Sequence, residues 1–338
     1  MRILIYGAGA IGGYIGGILA ADGKDVTLVA RGAQHAALAK DGLRLEGPKS
    51  GRPEPIRVNV CRPGEEKPPY DLIIVGLKSQ QIAAVAPRLA ELLAKDGALL
   101  MPQNGLPWWY FDRLESPLKG TRLATLDPEG VLAKHLPLDT IVGAVIYKPV
   151  TVVAPGHLKM VDAPTDHLDI GEVDDRRSPR ADAIAAMLTA AGLRTDVVPD
   201  IRKAKWAKLL INMVWNPLCS ITQSAQGHVA DHPRSERLVT GVMREGLAIA
   251  AAVGVKLDID PVRMFANAKG KYDQQPSMLQ DVRAGRSLEL DSIVNAVLEM
   301  GQLTKVPAPN LEVVAAVAGI LSQRIADDGV AFRPVKAG

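Results

Sequence analysis

Arg2-Ile3-Leu4-Ile5-Tyr6 is a short apolar run of the kind a strand buried on both faces requires, and it leads directly into Gly7-Ala8-Gly9-Ala10-Ile11-Gly12. A helix and a second strand, Asp25-Val26-Thr27-Leu28-Val29-Ala30-Arg31, complete the pattern of a βαβ unit. Strand and helix signals then alternate. Val58-Asn59-Val60 reads as a short strand, Tyr70 to Leu77 as a clear one, 80–93 as a helix and Ala98-Leu99-Leu100-Met101 as a further strand. Such alternation predicts a parallel sheet with helices on both faces. From Ile141 to Ile170 additional strands, interrupted at Pro155-Gly156, extend the sheet, and a helix follows over 178–191. Beyond Asp200 strand signals disappear. Apolar segments with helical period at 202–225, 233–253, 259–270, 277–284, 288–304 and 309–327 predict an all-helical second half. The expected organisation is an α/β domain over 1–198 and an all-α domain over 199–338.

The length of 338 residues agrees with two domains rather than one ordinary core. Almost half the residues are apolar, yet no window of about eighteen is free of charges and turn residues, so no membrane span is expected. The apolar residues after Met1 belong to the first strand and its turn rather than to a signal peptide, and a cytoplasmic location is expected. Cys61 and Cys219 are far apart without CxxC spacing, which argues against a disulfide framework or a zinc knuckle. The net charge of +3 is mild and the basic residues are scattered, so nucleic acid is not an expected partner and small anionic ligands suit the balance better.

The glycine-rich turn carries the first chemistry. In a βαβ unit the first glycine makes the tight turn, the second lets the backbone approach a pyrophosphate, and the third lets helix and strand pack closely. Gly7, Ala8, Gly9, Ala10, Ile11 and Gly12 therefore form the expected cradle for a dinucleotide. The second strand ends in Ala30-Arg31 instead of the carboxylate that would accept from the ribose 2′-hydroxyl of NAD. A guanidinium pairs instead with a 2′-phosphate, and such a contact of roughly 1.5–3 kcal/mol favours NADP about ten- to a hundredfold. Lys78 and the Asn104-Gly105 pair stand just past strand ends, where ligands bind in such sheets; a solvated charge and a tight turn are the alternative readings.

From Lys208 the sequence runs Lys-Leu-Leu-Ile-Asn-Met-Val-Trp-Asn-Pro-Leu-Cys-Ser, with polar side chains only at Lys208, Asn212, Asn216 and Ser220. Four-residue spacing lines them along one helix face with about 40° of drift per step. Partial desolvation of a lysine in this setting lowers its pKa and makes it a better proton donor near neutrality. The competing reading is a polar seam between helices, with the lysine reaching water. Ser277 is expected as a helix N-cap with Gln280 as its capping-box partner, and Glu289 opens another helix. His228 and His232 have i,i+4 spacing, but Pro233 follows and no carboxylate motif accompanies them, so no metal site is expected.

Gly7-x-Gly9-x-x-Gly12, Arg31, Leu77-Lys78, Gln103-Asn104-Gly105, Trp206-x-Lys208-Leu209-x-x-Asn212-x-x-x-Asn216-Pro217, Ser277-Met278-Leu279-Gln280-Asp281 and Glu289-x-Asp291 together resemble the ketopantoate reductase (2-dehydropantoate 2-reductase) family, in order and over nearly the whole chain. The resemblance implies a Rossmann-type N-terminal domain, an all-α C-terminal domain similar to that of 6-phosphogluconate dehydrogenase, an active site in the cleft, and reduction of ketopantoate to pantoate with NADPH. It further implies that Lys208 is the catalytic acid and that Glu289 helps position the site. Asn104, Asn212, Asn216, Gln226 and Ser277 would then contact substrate or nicotinamide, with Arg31 and Lys78 on the cofactor. A homodimer is compatible with the apolar surface of the helical half.

The chain departs from the family at Gln226 and Gln274, where asparagine is usual, and in a longer segment from Leu106 to about Leu138 containing Trp108-Trp109-Tyr110-Phe111. Two roles are open for these aromatics: core or dimer-interface material, or lining of the cleft that changes its volume. The activity expected is reduction of ketopantoate. A paralogue acting on another 2-keto acid and a non-catalytic NADPH-responsive binding protein are the alternatives. The last has no reason to keep Lys208 and Glu289 together.

Overall fold

The computed structural model describes residues 1–49 and 51–334. Its strands are β1 (Arg2–Tyr6), β2 (Asp25–Val29), β3 (Arg44–Glu46), β4 (Asn59–Cys61), β5 (Tyr70–Val75), β6 (Leu93–Met101), β7 (Ile141–Tyr147), β8 (Val150–Ala154), β9 (His157–Met160), β10 (His167–Glu172) and β11 (Thr195–Val197). Helices α1 (Ala10–Ala21), α2 (Gly32–Asp41), α3 (Ser79–Ile82), α4 (Ala86–Leu92), α5 (Val131–His135) and α6 (Pro179–Ala190) intersperse them. After these come α7 (Ile201–Thr222), α8 (Gln226–Asp231), α9 (Ser235–Ala252), α10 (Pro261–Ala266), α11 (Ser277–Arg283), α12 (Ala296–Thr304) and α13 (Pro309–Asp328).

The main sheet has the order β11-β10-β7-β6-β5-β1-β2-β4. All neighbours pair in parallel except β7 with β10. This is the Rossmann-like architecture, and its central strands are apolar on both faces because helices cover both. Ile3, Ile5, Leu28, Leu72, Ile74 and Leu100 join Ile15 and Leu19 of α1 in one core. A smaller sheet, β3-β9-β8, belongs to the same half. The helix expected over 80–93 is interrupted: α3 gives way to a 3₁₀ turn at Ala83–Val85, and α4 restarts with Pro87 in its first turn, where a missing amide costs least.

The chain forms two compact units, 1–103 with 129–204 and 104–128 with 205–338. This differs from a single division at 198/199, because residues 104–128 belong to the helical unit. Ala124 and Thr125 donate their backbone N–H groups to the Glu299 carboxylate on α12 at 2.7 and 2.9 Å, and Leu106, Tyr110, Phe111 and Leu123 are buried in the helical core with Trp206, Leu210 and Met213 of α7. Among the described residues no helix is long and apolar enough to cross a membrane.

Candidate active site

In the α/β unit, β1 lies between β5 and β2, with Tyr6 level with Val75 on one side and Val29 on the other. Gly7, Lys78 and Arg31 follow these three residues by one to three positions, so the parallel strands deliver all three to the same carboxyl edge of the sheet. Gly7 has φ +105°, and a Cβ on Gly12 would lie 2.1 Å from the Gly7 carbonyl oxygen. Glycine there is what lets α1 start so close to β1. Gly9 is the N-cap of α1 without a side-chain cap, no acidic residue occupies the first turn, and a Cβ on Gly9 would meet nothing within 4 Å. Helix-terminal amides, the positive end of the dipole and open space beside the backbone suit a pyrophosphate. Arg31 is exposed and caps α2 immediately beyond β2. Gln103 donates from Nε2 to the carbonyls of Val75 and Leu77 at 2.6 and 3.1 Å, which holds the end of β5 where Lys78 begins. These residues fit a dinucleotide.

In the helical unit, α7 places Lys208, Asn212, Asn216 and Ser220 on one face, with burial deepening along it. Lys208 and Asn212 are half-buried, Asn216 is 3% exposed and Ser220 fully buried. The Ser220 hydroxyl donates to the Asn216 carbonyl at 2.7 Å and is structural. The Asn216 Nδ2 donor has no hydrogen-bond partner, and neither has the Asn104 Oδ1 acceptor, although both atoms are buried. Buried polar groups are nearly always paired, so each of these two atoms retains bonding capacity that a ligand or a water can satisfy. Burial pushes the Lys208 ammonium down to about 8, while the negative charge of Glu289 opposes the shift. One turn earlier on α7, Lys205 is 4% exposed and pushed down to about 7 by burial and then by the charge of Lys208.

Glu289 immediately precedes the helical residue Leu290 and a π-helical turn, Asp291–Asn295. The Ser292 carbonyl in that turn accepts from the Leu106 N–H at 2.8 Å. Gly105, at φ +82°, lies so close that a Cβ there would be 2.1 Å from the same carbonyl oxygen. Trp206, two residues before Lys208, donates from its indole nitrogen to the Tyr110 hydroxyl at 2.8 Å. The segment after Asn104 is thereby bonded both to the turn that follows Glu289 and to the helix that carries Lys208.

The family model described as ketopantoate reductase PanE/ApbA matches residues 3–175, and its C-terminal counterpart matches 200–321. The chain belongs to the ketopantoate reductase family. It is 35% identical over 319 residues to a 2-dehydropantoate 2-reductase from Mesorhizobium japonicum, covering 94% of this chain and 96% of the relative. A second such reductase, from Archaeoglobus fulgidus, is 30% identical and covers 89% and 91%. The crystal structure of 2-dehydropantoate 2-reductase from Geobacter metallireducens superposes with a TM-score of 0.81 at 29% identity, covering 95% of this chain and 99% of that one. Members of the ketopantoate reductase family are oxidoreductases, and this chain carries the family's nucleotide-binding half and helical half in order.

The residues singled out from the ketopantoate reductase pattern divide between the units. Gly7 to Gly12, Arg31 and Lys78 are in the α/β unit; Asn104, Lys208, Asn212, Asn216, Gln226, Ser277 and Glu289 are in the helical unit. Ser277 is not the cap of its helix. Pro276, with φ −58° and ψ 155°, takes the extended cap conformation one residue earlier, and Gln280 donates to the Gln275 carbonyl at 3.2 Å instead of closing a capping box. Gln226 and Gln274, expected from the sequence to depart from the family pattern, meet: the Gln226 N–H donates to the Gln274 carbonyl at 3.1 Å. The aromatic segment is buried, with Trp108 at 7%, Trp109 at 0%, Tyr110 at 0% and Phe111 at 1% exposure, so the core reading holds for Tyr110 and Phe111. Lys205 was legible as an i,i+3 neighbour of Lys208, but the Trp206–Tyr110 and Leu106–Ser292 bonds join residues with no local sequence signal.

Proposed function

We propose that the chain is an NADPH-dependent 2-dehydropantoate 2-reductase, converting ketopantoate to pantoate with Lys208 as general acid. The observation that carries this reading is the half-buried Lys208 ammonium, lowered to about 8 and acted on by Glu289, on a helix face with Asn212 and the unpartnered Asn216 amide. When bound, a reduced nicotinamide supplies hydride to the keto carbon. The Lys208 Nζ stabilises the negative charge that develops on the keto oxygen and delivers a proton to it, leaving a neutral amine that is reprotonated from water. Glu289 favours the charged lysine and so preserves the acid form at neutral pH. Asn104, Asn212, Asn216, Gln226 and Ser277 bind the remaining polar atoms of substrate or nicotinamide without adding charge. Oxidation of NADPH with ketopantoate and a panel of 2-keto acids tests the assignment. Turnover concentrated on ketopantoate supports it, and stronger turnover of another acid directs attention to the adjoining Gln226 and Gln274.

Two variants test the cofactor half. Arg31→Ala raises the KM for NADPH about ten- to a hundredfold and leaves that for NADH nearly unchanged, because only the 2′-phosphate loses a charge-assisted partner. Equal effects on both cofactors would remove Arg31 from that role. The NADH control matters because a D-mandelate dehydrogenase solved with NADH shares the fold, with a TM-score of 0.81 at 22% identity. Gly9→Ala meets open space in the protein and leaves the melting temperature unchanged, while its methyl group weakens dinucleotide binding measured by calorimetry.

A further inference from the structure

The four consecutive aromatics do not share one environment. Tyr110 and Phe111 pack into the helical core, and the Tyr110 hydroxyl satisfies the Trp206 indole. Trp108 is more than nine-tenths buried, yet its indole nitrogen has no hydrogen-bond partner. An indole N–H is a donor only, and one that is buried and left unmade costs free energy that packing does not return. Trp108 follows Asn104, with its own unpartnered acceptor, by four residues, and the backbone is fixed on either side of it. Leu106 is bonded to the Ser292 carbonyl beyond Glu289, and Tyr110 to Trp206 before Lys208. The orphan donor is thus built into a short segment bonded to both elements that carry the proposed acid and its carboxylate.

We propose that Trp108 is a specificity-determining residue of the substrate site, its indole N–H donating a hydrogen bond to the carboxylate of the bound 2-keto acid. The proposal rests on the 2-keto acid reductase reading. A donor-only group requires an acceptor, and two kinds are common to every 2-keto acid, the keto oxygen and the carboxylate; the hydroxyl of ketopantoate is a third but is uncharged and the weaker acceptor. Lys208 serves the keto oxygen, which undergoes reduction, so the carboxylate remains for Trp108 and the Asn216 amide. A neutral donor there recognises the anion without placing a second cation beside the ammonium of Lys208.

The test removes the N–H and keeps the ring. Trp108→Phe, and the near-isosteric replacement of Trp108 by benzothienylalanine, are assayed with each 2-keto acid the wild type reduces and with the corresponding methyl ester. The KM for the acid rises about tenfold or more in both variants, the size expected for loss of a hydrogen bond to a charged group. The esters change little, so discrimination between acid and ester falls. The melting temperature and the KM for NADPH stay the same in the benzothienylalanine protein, because the donor has no protein partner to lose. An unchanged acid KM in that folded protein overturns the proposal while leaving the reductase reading intact. Failure of the wild type to reduce any 2-keto acid overturns the reductase reading, and this proposal with it.

Discussion

Lys208→Ala lowers turnover by about 10²–10⁴-fold while NADPH binding stays at the wild-type level. The loss falls on kcat and on kcat/KM together if the ammonium acts chiefly on the charge that develops during hydride transfer. Its pH dependence has a definite sign. As the proposed general acid Lys208 acts in its protonated form, and burial lowers its pKa to about 8, so the rate of ketone reduction is expected to decline as pH rises through about 8. Glu289→Gln removes the charge that favours the ammonium, and the decline moves to lower pH. Lys205 is lowered further, to about 7, and has largely lost its charge before Lys208 titrates, so Lys205→Met leaves the decline near 8. Full turnover in the Lys208→Ala protein, or a rate insensitive to pH between about 7 and 9, would exclude Lys208 as the proton donor.

Gly105→Ala destabilises the helical unit by roughly 2–5 kcal/mol, combining about 1–2 kcal/mol for a left-handed residue with about 1–3 kcal/mol for overpacking. The added methyl group would stand 2.1 Å from the Ser292 carbonyl oxygen and 2.5 Å from its carbon. Backbone in a turn already bonded to Leu106 cannot move aside as a flexible side-chain tip would. The neighbouring Asn104 is displaced with it, so the surviving folded protein also loses activity. Denaturant unfolding followed by tryptophan fluorescence measures the first effect and steady-state kinetics the second. Wild-type stability in this variant would mean that the Gly105–Ser292 approach relaxes easily and does not position the site.

Much of this architecture follows from local pattern. The run Arg2–Tyr6, the glycine turn and the second strand specify a βαβ unit because period, turn chemistry and helix start all agree within a few dozen residues. The same holds for α7, whose polar residues recur every fourth position in an otherwise apolar stretch, so Lys208, Asn212 and Asn216 share a face before any tertiary contact is known. Depression of the Lys208 pKa was also foreseeable from its apolar neighbours, since desolvation is its largest cause.

Other features depend on contacts between distant parts of the chain. Ser277 looked like a cap because hydroxyl and glutamine had the right spacing, but Pro276 takes the cap position and the helix starts one residue earlier than that reading required. The segment 104–128 follows a strand of the α/β unit and gives no sign of leaving it; its assignment to the helical unit depends on Glu299 accepting two amides and on the burial of Tyr110, Phe111 and Leu123 beside α7. Bonds from Leu106 to Ser292 and from Trp206 to Tyr110 span separations over which no periodicity or turn rule operates. Sequence therefore determined the elements, the glycine-rich turn and the face that carries the lysine, because short-range sterics and hydrophobic period act within each element. Tertiary structure alone decided which buried polar atoms remain unpaired, because satisfaction of a hydrogen bond is a property of what surrounds an atom, and for Asn104, Trp108 and Asn216 the surroundings are assembled from distant segments.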